Sequence, residues 1–273
     1  MNSFTMKALA VAVLGLAGTS MAMAACPTAV TTSGSTTPGG GGAWSTQFIA
    51  TDATFNIVSP GLGGTGCTAA FSIGALSNSR VFVQDNSPAA PGEPRYRARF
   101  LVKLSNLTSF SVSNQTAIIM RENDTTSPAQ FSSDQLVVRI AGGATPSIRF
   151  FVADGNAASG LVSIAVPLPS SASGEYRVET DLQIGAAATS QANGCTTTPA
   201  SGGCFRYWVT DAAAASADAT PTGSYVINNS GWSGAKTLFL GLTTGTAAFR
   251  TAHAGQTVLL DELDTRRQTF IGQ

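Results

Sequence analysis

Residues 95–104 read Arg-Tyr-Arg-Ala-Arg-Phe-Leu-Val-Lys-Leu, a pattern that only an extended chain can use. Tyr96, Ala98, Phe100, Val102 and Leu104 fall on one side of a strand, and Arg95, Arg97, Arg99, Leu101 and Lys103 on the other. An amphipathic helix needs its apolar residues every three or four positions, so this alternation excludes one. Residues 176–184 repeat the device, with Tyr176, Val178, Thr180, Leu182 and Ile184 opposite Arg177, Glu179, Asp181 and Gln183. Residues 136–140 and 148–152 predict a hairpin around Gly142, Gly143 and Pro146. Further strands are expected near 110–120, 162–168, 205–210, 225–228, 236–243 and 256–264. The alanine-rich stretch 212–219 lacks an apolar stripe and predicts no more than one turn. Many short strands with no helices between them predict an all-β fold, a two-sheet antiparallel β-sandwich over residues 44–273.

The N-terminus constrains the compartment. Lys7 precedes an apolar run over residues 8–17, and Ala22-Met23-Ala24 has the small-x-small form of a cleavage site. A signal peptide over 1–25 is expected, too short and too broken by Gly15 and Gly18 to stay in a bilayer. The mature protein is therefore expected to be secreted, periplasmic or extracellular, with no transmembrane segment. Residues 26–43, rich in Ser, Thr and Gly, predict a flexible arm. Cys26, Cys67, Cys195 and Cys204 are an even set in an exported chain, which suggests two disulfides. The economical pairing joins Cys195 to Cys204 and Cys26 to Cys67, although three connectivities exist in principle. Lipidation of Cys26 competes with this, but Met23 stands where a lipoprotein signal usually carries Leu.

Charged residues make up 11% of the chain, with 15 basic and 15 acidic groups. Such sparing, balanced charge argues against nucleic acid or an anionic membrane as partner. The charges that exist are clustered. Arg95, Arg97 and Arg99 form a row that could grip an anionic polysaccharide, since guanidinium groups bind carboxylates bidentately. Cross-strand pairing with Glu179 and Asp181 is the favoured explanation. Asp261, Glu262 and Asp264 form the densest acidic cluster. Glu262 and Asp264 would share one strand face and supply the two carboxylates that glycoside cleavage needs. Hydrogen bonding to strand ends is the favoured account of these acids. His253, the one histidine, sits where a surface turn between two strands is expected, and no Gly-x-Ser-x-Gly elbow accompanies it.

Trp232 lies in a Gly/Ser/Asn loop over 228–234, an odd place for a core residue and a good one for stacking a sugar ring. No cofactor is expected. Asp154, Asp211 and Asp218 offer calcium the oxygen ligands it prefers, but their spacing matches no calcium loop and turn chemistry accounts for them.

Three segments carry a resemblance. They are residues 83–100, with Glu93-Pro94-Arg95-Tyr96; Glu175-Tyr176-Arg177-Val178-Glu179 followed by Phe205-Arg206-Tyr207-Trp208-Val209; and Leu238-Phe239-Leu240-Gly241-Leu242 before Asp261-Glu262-Leu263-Asp264. Over residues 67–272 this order resembles the jelly-roll sandwich of concanavalin A-like lectins, glucanases and laminin G-like domains, and exported bacterial members above all. The laminarinase-type glucanases need a further glutamate after the aspartate, where this chain has Thr265 and Arg266. Alginate lyases of this sandwich type need a Gln-x-His strand, and the chain has none. What the resemblance implies is a secreted, non-catalytic module that binds a glycan or another surface component. A polysaccharide hydrolase or lyase using Glu262 and Asp264, and a structural matrix component, are the alternatives.

Overall fold

The computed structural model describes residues 46–64, 66–85, 95–124, 134–155, 157–185, 203–214, 220–232 and 234–266. Its fourteen strands run from β1 (Thr46–Ile49) and β2 (Thr54–Val58) through β3 (Thr68–Ser72), β4 (Val81–Asp85) and β5 (Arg95–Lys103). They continue with β6 (Thr116–Asn123), β7 (Asp134–Ala141), β8 (Ser147–Ala153), β9 (Leu161–Pro167) and β10 (Glu175–Gln183). β11 (Gly203–Asp211), β12 (Gly223–Ile227), β13 (Thr237–Gly245) and β14 (Val258–Arg266) complete the set. A first seven-stranded sheet has the order β1-β4-β13-β6-β7-β8-β9, and a second has β12-β11-β10-β5-β14-β3-β2. Every pairing is antiparallel. The expected two-sheet sandwich is the observed one.

The alternation read from β5 and β10 is what closes the core. Tyr96, Phe100 and Leu182 are 0%, 0% and 1% exposed. They meet Leu136, Val138, Ile148 and Phe150 from the first sheet in one apolar cluster. Phe150 on β8 lies 4.9 Å from Tyr207 and 5.4 Å from Phe205 on β11, so aromatic rings join the two layers. Dispersion and burial of such rings supply most of the sandwich's cohesion.

One element departs from the expectation. Residues Ala247–His253 form a short helix, α1, capped by Thr246, whose hydroxyl oxygen accepts from the Phe249 amide at 3.2 Å. Phe249 and His253 are four residues apart and both face inward. His253 is therefore not a surface turn residue: it is 0% exposed, with its ring 5.4 Å from that of Phe110 and its Nδ1 3.1 Å from the Gln256 amide oxygen. One apolar pair in seven residues is too short a stripe for periodicity to reveal.

Residues 1–45, which hold the expected leader, the arm and Cys26, lie outside the described residues, as does Cys195. Neither Cys67 nor Cys204 is a free thiol. Cys67 precedes β3, and Cys204 lies on β11, four positions away in the same sheet. At about 4.8 Å per strand that is roughly 19 Å, beyond the ~7 Å that a disulfide spans between Cα atoms. A Cys67–Cys204 bridge is excluded on this geometry. Among the described residues, no helix is long and apolar enough to cross a membrane.

Candidate functional site

On the outer face of the second sheet, register places Arg206, Asp181 and Arg97 in one row across β11, β10 and β5. The next row holds Trp208, Glu179, Arg99 and, on β14, Asp264. Asp181 collects three guanidinium groups. Arg95 donates to it through Nε at 3.0 Å and Nη2 at 2.9 Å, and Arg206 through Nε at 3.0 Å and Nη2 at 2.5 Å. Arg97 Nη2 lies 3.0 Å from the same carboxylate. All four side chains are buried. Burial alone would raise the Asp181 pKa, but the Arg95 hydrogen bond and the charges of Arg97, Arg95 and Arg206 outweigh it and hold the carboxyl below its ordinary range. Trp208 completes the group, its ring 5.3 Å from the Arg206 guanidinium. Arg95 and Arg97 thus sit in the cross-strand pairing that alternation suggested.

Arg99 lies apart from that cluster, 3.8 Å from Glu262. Glu262 and Asp264 do share the outer face with it, but a bulge rather than alternation brings them there. Asp261 opposes Leu101 and Asp264 opposes Arg99, so β14 fits one extra residue between them, Glu262, at φ 49°. Asp261 secures the bulge, accepting from the Leu62 and Glu262 amides at 2.8 Å each. Asp261 therefore has the structural role favoured from the sequence.

Trp232 is half-buried in the loop between β12 and β13, where its amide donates to Asn229 O at 3.0 Å. That loop is fastened to both sheets. Asn229 Oδ1 accepts from Gly185 N at 2.8 Å beyond β10, while Gln135 Nε2 donates to Gly234 O at 3.1 Å on the first-sheet side. Asp154 accepts from Asn228 N at 2.9 Å, and Asp211 accepts from Ser171 Oγ at 3.2 Å and Ala213 N at 3.1 Å. Both acids are engaged in turns. Asp218 lies outside the described residues.

A second cluster gives no local signal in the sequence. The outer face of the first sheet carries Arg121 on β6, Arg139 on β7 and Arg149 on β8, with Arg80 just before β4. Asp134 bonds to Arg121, accepting from its Nε at 2.9 Å and from its Nη2. Arg139 and Arg149 face each other directly across the β7–β8 ladder, and among the described residues neither makes an ion pair. Burial first, and then the positive charge of Arg149, pull the Arg139 pKa below the usual arginine range, against the opposing pull of Asp134. Arg121 is lowered likewise by burial, with Arg139 and Arg80 adding to the effect. Aromatic rings seat two of these cations. The Arg139 guanidinium lies 4.3 Å over Phe151, and that of Arg80 4.5 Å over Phe48.

Three of these arginines, Arg80, Arg121 and Arg139, rim a cleft, with Arg149 beside Arg139 across the β7–β8 ladder. One part, about 270 Å³, is lined by Arg80, Arg121 and Thr243; a second, about 160 Å³, by Arg139 and Thr116. Ile118 and Thr244 border both parts. The space exists because β13 slips against β6 between Leu240 and Thr244. The register of the β7–β8 hairpin was the signal available in the sequence: a loop closing at Ala141 and Ser147 puts Arg139 opposite Arg149.

No protein-family model and no curated protein sequence matches the chain. The chain is similar to several solved structures. An endo-β-1,4-glucuronan lyase from the fungus Trichoderma reesei is 12% identical, with 88% of this chain and 95% of that one covered at a TM-score of 0.52. The receptor-binding domain of botulinum neurotoxin mosaic serotype C/D is 10% identical over 82% of this chain, at a TM-score of 0.46. The botulinum serotype D ligand-binding domain, solved with N-acetylneuraminic acid, is 11% identical over 82%, at 0.44. This chain spans 43% of each of the two toxin chains.

Proposed function

We propose that the chain is an exported, non-catalytic module of the concanavalin A-like jelly-roll kind that binds a glycan. The observation that carries this reading is the cleft on the first sheet, where guanidinium groups and threonine hydroxyls converge and Phe151 stands beside them against Arg139. Sugar sites pair an apolar ring with a few directed polar groups; the cleft supplies the polar groups, and Phe151 beside Arg139 is the neighbouring ring. The loop bearing Trp232 borders the same face through Gln135 and through Lys236 N, which donates to Asn123 O at 2.8 Å. The likeness to a glucuronan lyase supports a polysaccharide ligand on such a framework. Lys7, the apolar run after it and Ala22-Met23-Ala24 support export.

The test is a glycan array probed with the labelled protein. Binding to a defined set of glycans is expected, at least tenfold weaker for Trp232→Ala and Phe151→Ala, with the melting temperature nearly constant. No binding to any glycan would end the reading, and full binding by both variants would move the contact elsewhere.

A second reading, a polysaccharide hydrolase or lyase, draws on Glu262 and Asp264 flanking Arg99. Product release from a polysaccharide panel, abolished by Glu262→Gln, would replace the first reading with this one.

A further inference from the structure

Cations in this chain are scarce, and on the second sheet most of those described meet an acid, Arg177 donating instead to the Ala212 and Ala214 carbonyls. On the second sheet Arg95, Arg97 and Arg206 share Asp181, Arg99 meets Glu262, and Lys103 meets Glu175 at 3.2 Å. On the first sheet Arg121 meets Asp134, whereas Arg139 and Arg149 face each other with no ion pair among the described residues. Arg80, Arg121, Arg139 and Arg149 influence one another's charge, while Asp134 is the acid bonded into the group. Like charges placed directly opposite across a ladder destabilise it, and Arg139 stands opposite Arg149 in a chain with polar residues to spare. The Nε atoms of both are buried without a hydrogen-bond partner. Phe151 seats the Arg139 guanidinium 4.3 Å from its ring centroid, and a guanidinium carries enough N–H donors to grip a planar acceptor as well.

We propose that this cleft selects negatively charged saccharides, a uronate or sulfated polysaccharide segment whose acid group bridges Arg139 and Arg149. The inference rests on the glycan-binding reading and deepens it. A carboxylate or sulfate between the two guanidinium groups replaces repulsion with two charge-assisted contacts. The sugar ring then lies toward Ile118 and Thr244, along the cleft shared by its two parts. Neutral glycans gain nothing from the pair.

Titration calorimetry of the full protein against oligoglucuronate, heparin oligosaccharide, a neutral β-glucan oligosaccharide and a DNA duplex tests this. Expected are binding of an acidic oligosaccharide at least tenfold tighter than the neutral one, and weakening of at least tenfold between 50 and 500 mM salt. Arg139→Gln and Arg149→Gln should each cost at least tenfold toward the acidic ligand, whereas Lys103→Gln on the opposite sheet should cost nothing. Relief of the repulsion should also raise the melting temperature of Arg149→Gln by about 1–3 °C. Arg149→Lys, which keeps the charge, should recover part of the affinity and report on the site if the glutamine variant fails to fold. Equal affinity for acidic and neutral sugars, unchanged in the variants, overturns the inference and leaves the glycan reading standing. No binding of any saccharide sinks both. Tighter binding of DNA than of the acidic oligosaccharides overturns the choice of a saccharide.

Discussion

Asp181 shows how one side chain can hold a whole surface in place. Three guanidinium groups converge on it in a buried setting, so its removal leaves several cations without their common counter-ion. Breaking a buried pair from one side costs about 3–5 kcal/mol. For a domain of this size that is a fall of roughly 6–20 °C in melting temperature, expected for Asp181→Asn by scanning calorimetry. Glu262 is the natural comparison. Its contact with Arg99 is 3.8 Å long and the glutamate side chain is 30% exposed. Glu262→Gln should therefore move stability by less than about 1 kcal/mol. If the two variants melted alike, the second-sheet arginines would owe their order to something other than Asp181. Because the folded Asp181 pKa lies below its unfolded value, this stabilisation is complete at neutral pH and is lost as pH falls through the folded value.

At the scale of elements, β13 does two jobs with one irregularity. Its inward residues Leu238, Leu240 and Leu242 pack in the core, while the slip between Leu240 and Thr244 opens the cleft floor. Gly241 makes the slip tolerable. It sits at φ 135°, and a Cβ there would stand 2.6 Å from Val81 O and 2.8 Å from Phe82 Cα. Backbone cannot retreat as a flexible side chain does, so Gly241→Ala should cost about 2–4 kcal/mol by urea denaturation. Gly66→Ala, with nothing within 4 Å of the new methyl, should be near neutral. Equal midpoints for the two variants would show that β13 yields at Gly241. Alternation made β5, β10 and the β7–β8 hairpin legible in the sequence, because each strand has one face richer in polar residues and one apolar face, even where pairing later buries the polar one. The slip in β13 and the bulge at Glu262 were illegible, since both depend on a partner strand's register and not on local pattern. Helix α1 was missed for want of length. Arg95, Arg97 and Arg99 do share one strand face as alternation suggested, but Glu262 and Asp264 reach theirs through the bulge and not through alternation, and the first-sheet arginines needed the five adjacent strands β4-β13-β6-β7-β8 before they met.

Across the whole molecule, the two layers are joined through a carboxyl group as well as through aromatic rings. Glu122 points inward from β6 between Leu136 and Leu238 in register, is 0% exposed, and accepts from Thr180 Oγ1 of the opposite sheet at 3.3 Å. Its Oε2 has no hydrogen-bond partner. Burial pushes its pKa up to about 8, the Thr180 bond pulling the other way and the charge of Asp181 adding to the rise. An unfolded glutamate titrates near ~4.3. Between those two values the folded state binds the extra proton, so stability must fall as pH rises across that window and level off above it. Asp181 contributes no slope there, being ionised in both states above about pH 5. The urea midpoint of the wild-type protein should accordingly decline from pH 5.5 to 8.5. Glu122→Gln, which keeps the shape and the bond to Thr180 without a titrating group, should lose most of that decline and be the more stable protein at pH 8.5. A flat wild-type profile, or a variant that declines as steeply, would place the charge of Glu122 in contact with water and open the junction between the sheets.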